Sequence, residues 1–187
     1  MDALAAIHAR RSIKKLISPA PSDDELRVML DAAVSAPDHK ELQPWRFIVL
    51  RNEHKDAFGD VMAKALLTRE PSATRGQIDK ERHKLDRAPL VVVAAAKRVQ
   101  TDLAFEEVLA ATAAATQNLL LAVTALGYGA MWRTGVVVYD ATIKRALGLE
   151  PEDAIVGFIY VGTPASAPDY RPPRDASVVT EWEAGLS

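Results

Sequence analysis

Apolar side chains recur every three or four positions in several stretches of the chain, and this spacing predicts amphipathic helices. Ser22 followed by Glu25 forms a capping-box pattern, which marks a helix start. That helix should end before Pro37, because proline interrupts helical hydrogen bonding. Further helices are predicted over residues 2–9, 53–67, 77–87 and 105–126, and from Asp140 to near Gly148.

Compact apolar runs between these helices predict buried strands. The runs cover residues 45–50, 90–96, 129–133 and 154–161, and residues 68–76 between two helices are predicted to form a loop. Helices and strands alternate irregularly along the chain. The pattern therefore indicates an α+β fold in which a mixed β-sheet is flanked by helices.

The longest predicted helix, residues 105–126, is apolar on most of its sides. No charged residue occurs between Val108 and Trp132, a stretch long enough to span a bilayer. Several polar residues such as Thr112 and Gln117 interrupt it, which favours a helix buried in a soluble core over a membrane span. A homodimer would cover its extra apolar surface, and a monomer with a central helix is the alternative.

The amino-acid composition limits the classes of function that the protein can have. The chain has 187 residues, of which 49% are hydrophobic and 26% charged, and these values fit one globular domain, residues 1–187, with a proline-rich C-terminal arm over 164–187. The net charge of −2 gives no reason to expect nucleic-acid binding. The chain contains no cysteine, and its four histidines lack metal-ligand spacing, so no metal site is predicted. The basic residues near the N-terminus follow a short apolar stretch, unlike those of a signal peptide.

Three polar clusters are candidates for ligand binding. The first is Arg10-Arg11-Ser12 with Lys14, where guanidinium groups and a hydroxyl could hold a phosphate. The second is the run 132–135, Trp-Arg-Thr-Gly, after the apolar helix and a short strand. The third is the loop over residues 36–47, where charged side chains lie between Pro37 and Pro44 in a backbone expected to be non-helical. Taken alone, Arg10-Arg11-Ser12 is better explained as a solvated basic turn at a helix C-terminus. The run 132–135 is explained equally well as a core tryptophan beside a surface arginine.

Taken together, four motifs occur in order along nearly the whole chain. They are Arg10-Arg11-Ser12, the run from Ala36-Pro37 to Gln43-Pro44-Trp45, the run from Gln117 to Gly129, and the run Gly157–Pro164. This ordered set resembles the nitroreductase family of FMN-dependent oxidoreductases that use NAD(P)H, most closely its short, YdjA-like bacterial branch. The resemblance implies a three-layer α-β-α fold and an intertwined homodimer with a long central interface helix. It also implies a cytoplasmic enzyme with one FMN site per subunit.

The resemblance also assigns roles to individual residues. It implies that Arg10 and Ser12, with Arg11 beside them, bind the FMN phosphate and ribityl chain, and that Lys14 faces the N1/O2 edge of the flavin. It implies three further groups of cofactor-binding residues. The loop that reaches the partner's flavin contributes Ser35, Asp38 and His39. Beside the ring near N5 lie Trp132, Arg133 and Thr134, and at the phosphate lies Arg174. No catalytic side chain is expected, because the flavin carries the hydride.

The implied reaction is ping-pong hydride transfer through flavin N5, from NAD(P)H to a small acceptor such as a nitroaromatic or a quinone. Two departures limit the transfer of detail: Lys40-Glu41 stands where many relatives have asparagine, and the stretch between Gly76 and Leu103 is short. A flavin-binding or storage protein without turnover is one alternative. Another FMN reaction on the same scaffold, such as dehalogenation or flavin fragmentation, is a second.

Overall fold

The computed structural model describes residues 1–100, 102–167 and 172. Within these residues the α-helices are α1 (Ala3–Ala9), α2 (Asp23–Val34), α3 (Asn52–Arg69), α4 (Arg75–Arg82), α5 (Phe105–Ala125) and α6 (Ala141–Ala146). The strands are β1 (Leu16–Ile17), β2 (Trp45–Arg51), β3 (Leu90–Ala96), β4 (Gly129–Arg133) and β5 (Ala154–Pro164). Short 3-10 turns cover His39–Glu41, Lys84–Arg87 and Val136–Tyr139.

Helix boundaries follow the capping residues of the sequence. The capping box at α2 is formed in both directions: the Ser22 amide donates to the Glu25 carboxylate at 2.8 Å, and the Glu25 amide donates to the Ser22 hydroxyl at 3.3 Å. Asp140 caps α6 by accepting the amides of the first turn. Gly127, with φ of +86°, ends the long helix as predicted.

The strands form one sheet in the order β2-β3-β5-β4, and β1 pairs with the C-terminal end of β5. All these ladders are antiparallel, and the sheet is mixed only through an isolated parallel bridge between Ser12 and Ala130. Arg133 pairs with Phe158, which pairs with Val93, which pairs with Ile48. Because adjacent strands lie about 4.8 Å apart, roughly 14 Å separates β4 from β2.

Helices cover both faces of this sheet. On one face Phe58 and Met62 of α3 pack with Phe158 and Tyr160 of β5. On the other face Met29, Leu119 and Val123, from α2 and α5, pack with Val92 and Ile159. Every residue of β3 is buried, which explains its continuous apolar run. The result is the expected three-layer α-β-α arrangement.

Helix α5 packs between the sheet and α2, with Ala115, Leu119 and Val123 fully buried. By length and composition it could cross a membrane, and no other helix among the described residues meets that test. Its burial is instead that of a core helix. One stripe of α5 remains partly or fully exposed, namely Ala110, Ala114, Gln117, Leu121 and Ala125.

The structure differs from the sequence predictions in local detail. The segment between Pro37 and Pro44 was expected to be non-helical, yet it contains the 3-10 turn His39–Glu41, whose Lys40 has φ of +64°. The predicted loop over 68–76 is shorter, because α3 continues to Arg69 and α4 begins at Arg75. Strand β1 has only two residues, too few to give a periodic signal. Most of the predicted arm over 164–187 lies outside the described residues.

Candidate functional site

The first candidate cluster leaves α1 and runs beside β4. The Ile13 amide donates to the Ala130 carbonyl at 2.8 Å, next to the bridge between Ser12 and Ala130. Arg10 is half-buried, and Ser12 and Lys14 are exposed. Their side chains make no hydrogen bond or ion pair with any described residue. This stretch therefore presents two cations and a hydroxyl free to bind an anion.

Arg11 is oriented differently from Arg10. Its Nη1 atom donates to the carbonyl oxygens of His8 and Arg10, at 2.5 and 2.9 Å. A guanidinium at this position donates hydrogen bonds to carbonyl oxygens at the C-terminus of α1. Its positive charge also interacts favourably with the negative end of the helix dipole. The Arg11 Nε atom is buried and has no partner within the described residues. Arg11 thus holds the turn that positions Arg10 and Ser12, while its Nε remains available as a donor.

The second cluster stands at the end of β4, in the same edge region as Ser12. Trp132 donates from Nε1 to the Val156 carbonyl at 3.1 Å. A Cβ on Gly157 would lie 2.1 Å from that nitrogen, so only glycine allows the indole to lie across β5. Thr134 is exposed, and Gly135 has φ of +107°, which favours glycine. The turn after β4 is therefore fixed by the indole before it and the glycine after it.

Arg133 lies over an aromatic ring of the neighbouring strand. Its guanidinium carbon is 5.6 Å from the centre of the Tyr160 ring, within cation–π range. Burial raises the pKa of Tyr160 to about 12, while the positive charges of Arg133 and Arg87 oppose this shift. Tyr160 therefore stays a neutral phenol at physiological pH, and Arg133 has no anionic partner within the described residues.

The third cluster is the loop from Ser35 to Gln43, and its side chains are engaged. The Ser35 hydroxyl donates to the Asp31 carbonyl at 2.8 Å, and the Gln43 amide donates to the Asp38 carboxylate at 2.6 Å. His39 Nδ1 lies 2.7 Å from the Glu107 carboxylate of α5, and Lys40 pairs with Asp102. A groove of about 520 Å³ opens between this loop and α5.

The structure brings the first two clusters together but not the third. Arg10, Ser12 and Lys14 share the β4 edge with Arg133, whereas the loop leads into β2, three strands further along the sheet. Roughly 14 Å of sheet separates β2 from β4. The predicted phosphate ligand Arg174 lies outside the described residues. The described residues of one chain therefore hold the predicted ligands in two separate groups.

Two residues of this region were missed by the sequence analysis. Glu107, the partner of His39, is 68 positions away in sequence, and Tyr160, beneath Arg133, belongs to an apolar strand motif. Neither has a local signal, because each acts through a contact that only the folded chain creates. The pair His39–Glu107 requires the helix start at Phe105 to lie beside the loop.

Comparison with known proteins identifies the family of this chain. The model of the family described as "Nitroreductase family" matches residues 7–163. The chain therefore belongs to the nitroreductase family, which confirms the resemblance of its four motifs.

Individual relatives agree with this assignment. The Escherichia coli (strain K12) protein named "Putative NAD(P)H nitroreductase YdjA" is 35% identical over 166 residues, covering 88% of this chain and 89% of the relative. A nitroreductase-like protein from Bacillus cereus superposes with a TM-score of 0.84 at 23% identity, covering 99% and 97% of the two chains. A nitroreductase from Desulfovibrio desulfuricans, crystallised in complex with FMN, gives a TM-score of 0.75 at 29% identity and covers 98% of both chains.

Proposed function

We propose that the protein is a cytoplasmic, homodimeric FMN-dependent oxidoreductase that uses NAD(P)H to reduce nitroaromatic, quinone or similar acceptors. The observation that carries the proposal is the set of unpaired donors along β4: Arg10, Ser12 and Lys14, with Arg133 at the far end of the strand. Ser12 is bridged to β4, Arg133 ends that strand, and a relative from Desulfovibrio desulfuricans was crystallised in complex with FMN.

The hydrogen-bond donors and positive charges of this set match the two parts of FMN that carry negative charge, the phosphate and the reduced ring. The FMN phosphate is a dianion, and guanidinium groups such as Arg10 bind it in bidentate fashion with a hydroxyl such as Ser12 as a further donor. Lys14 would lie near the N1/O2 edge, where negative charge collects when the flavin is reduced. The orphaned Nε of Arg11, buried beside this segment, is a donor that an anion could satisfy.

The β4 edge and the loop would each form half of a cofactor site, and a homodimer would bring the two halves together. Ser35, Asp38 and His39 would approach the cofactor bound on the β4 edge of the partner, because they do not approach their own. The exposed stripe of α5 consists largely of alanine, which allows close approach of a second helix. A symmetric contact through this stripe would bury apolar surface in both subunits and join the half-sites.

In this proposal bound FMN supplies the hydride chemistry, accepting a hydride from NAD(P)H and passing it to the acceptor. The chain supplies binding and electrostatics. Arg10 and Ser12 hold the phosphate end, and the Lys14 ammonium raises the reduction potential by favouring the anionic reduced form. Trp132 and Gly157 fix the turn that carries Arg133 and Thr134, so that these side chains are positioned before a substrate arrives.

An absorption spectrum before and after anaerobic addition of NADH or NADPH tests the proposal. We expect yellow protein with a flavin spectrum that bleaches with at least one of the two nucleotides and recovers when a quinone is added. Colourless protein that does not take up FMN would overturn it. Bound FMN that neither nucleotide bleaches would instead indicate a flavin-storage protein.

A further inference from the structure

A pocket of about 320 Å³ lies between α3, α4 and the 3-10 turn that follows α4. Its lining combines an apolar wall with charged groups, namely Leu66, Gln77, Lys80, Glu81, Lys84 and Arg87. The sequence predicts only a helix over residues 77–87 in this part of the chain. In the fold, three cations and one carboxylate converge on one cavity, which gives it a net positive charge.

One of the three cations is neutralised within the pocket. Lys84 Nζ donates to both carboxylate oxygens of Glu81, at 2.7 and 2.9 Å, and the two side chains are only 31% and 14% exposed. Lys80 and Arg87 are exposed, and their side chains have no hydrogen-bond or ion-pair partner among the described residues. The pocket thus has a partly buried neutral pair and two unpaired cations.

Two other cations near the pocket, Arg82 and Lys55, have partners within the fold. Arg82 binds Asp60 at 2.8 Å and Asp79 at 3.1 Å. Lys55 donates to the Ala88 carbonyl at 3.1 Å. Acidic groups are therefore present nearby, yet no carboxylate of the described residues forms an ion pair with Lys80 or Arg87. The two positive charges at the pocket are left to an outside anion.

Leu85, from the turn that carries Lys84 and Arg87, packs in one buried cluster with Tyr160, whose ring lies under Arg133 of β4. The charges of Arg87 and Glu81, from the pocket, and of Arg133, from β4, all act on the ionisation of the Tyr160 hydroxyl and so lie within electrostatic range of it. The guanidinium of Arg133 also stacks on the same ring. A ligand extending from the Arg133 end of the proposed flavin site could therefore place a charged group in this pocket.

We infer that the pocket formed by Lys80, Lys84 and Arg87 binds the 2′-phosphate of NADPH and makes NADPH the preferred reductant. The inference rests on the proposed function, which supplies the pyridine nucleotide. NADPH differs from NADH by one dianionic phosphate, and two unpaired cations match that charge. The apolar wall at Leu66 can contact the adenosine that carries this phosphate.

Titration calorimetry on the FMN-loaded protein tests the inference without turnover. The probes are adenosine 2′,5′-bisphosphate, which carries the 2′-phosphate, and AMP, which does not. We expect the bisphosphate to bind at least about tenfold more tightly, since a charge-assisted contact is worth this factor or more. Arg87→Gln should weaken bisphosphate binding about tenfold, and Lys80→Gln combined with Arg87→Gln should abolish the difference between probes.

Lys64→Gln is the matched control, because Lys64 is exposed on α3 and does not line the pocket. It removes the same charge and should leave both affinities unchanged. Equal binding of the two probes to the wild type, or an unchanged preference in the double variant, would overturn the inference. So would release of FMN from the double variant, which would assign the pocket to the flavin.

The closing measurement separates this inference from the proposed function. If NADH and NADPH bleach the flavin equally well and the double variant behaves as the wild type, the pocket assignment fails and the oxidoreductase remains. If neither nucleotide bleaches bound flavin, the oxidoreductase itself fails, and the calorimetric preference still decides whether the pocket recognises a 2′-phosphate.

Discussion

The β4 edge and the loop over residues 38–43 both carry family motif residues, yet they differ in whether their polar side chains have bonding partners within the described residues. On the β4 edge, Arg10, Ser12 and Lys14 leave their donors unpaired on a backbone held by sheet contacts. In the loop, the side chains of Asp38, His39 and Lys40 are all engaged. Within the described residues, the donors of the β4 edge are free to bind a ligand, whereas the polar side chains of the loop are already bonded to other groups of the protein.

Backbone conformation sharpens this contrast. Within the loop Lys40, Glu41 and Gln43 have φ of +64°, +53° and +47°, a left-handed conformation that costs a non-glycine residue about 1 kcal/mol or more. The engaged side chains offset this cost. The conformation of the loop is therefore held by its own contacts, whereas we propose that the donors of the β4 edge gain their partners from a ligand.

The largest effect should come from removing a free donor of the β4 edge. Arg10→Ala is expected to weaken FMN binding by about tenfold to a hundredfold, because a charge-assisted phosphate contact is lost. Lys14→Ala should weaken binding less and mainly lower the flavin potential, since in the proposed site its charge would face the reduced ring. Fluorescence titration and a spectroscopic redox titration measure the two effects. Equal FMN affinity of wild type and Arg10→Ala would contradict the phosphate assignment.

Removing an engaged group of the loop should instead affect stability. Asp38→Ala deprives the Gln43 amide of its acceptor and should lower the free energy of unfolding by about 1–2 kcal/mol. Asp38→Asn is the matched control, because its side-chain oxygen can still accept that amide. Urea unfolding of the FMN-free protein measures both. A loss of FMN affinity in Asp38→Ala with unchanged unfolding would show that Asp38 acts on the cofactor directly.

A smaller effect on FMN binding is expected from His39→Ala, about twofold to tenfold for one lost hydrogen bond. Mixed dimers then test whether the contact crosses the interface. A dimer of one Arg10→Ala subunit and one His39→Ala subunit should contain one intact site, since Arg10 of the second and His39 of the first would meet. Tagged heterodimers that bind one FMN with wild-type affinity support this arrangement. Heterodimers with two weakened sites would place both residues in the same subunit's site.

Much of the scaffold could be predicted from the sequence because its signals are local. The run 90–96 is apolar throughout and forms the buried β3 with those same bounds, and the pattern of Ser22 and Glu25 forms a capping box. The 3-10 turn at His39–Glu41 could not be predicted. Its left-handed residues are lysine and glutamate, which give no glycine signal, and contacts with α5 and Asp102 hold them in place.

The family resemblance predicts both the residue types of the candidate site and its division between two subunits. It assigns Arg10 and Arg133 to one subunit's flavin and Asp38 to the partner's, but sequence spacing contains no distance between them. The strand register places β2 and β4 roughly 14 Å apart, and only then does the need for a second subunit become a geometric argument. Likewise, the packing of α3 and α4 determines that Lys84 and Arg82 pair with carboxylates. Lys80 and Arg87 are then left without an ion-pair partner among the described residues.

The smallest predicted effect concerns Glu41, the residue at which this chain departs from many relatives. Its side chain is exposed and makes no hydrogen bond or ion pair among the described residues, while its backbone is left-handed. Asparagine tolerates this conformation better than glutamate, so Glu41→Asn should raise the free energy of unfolding by about 0.5 kcal/mol. Glu152→Asn, at an exposed position without positive φ, is the matched control and should give no gain. If both changes alter urea unfolding equally, the strain at Glu41 does not contribute, and the loop is shaped by its side-chain contacts alone.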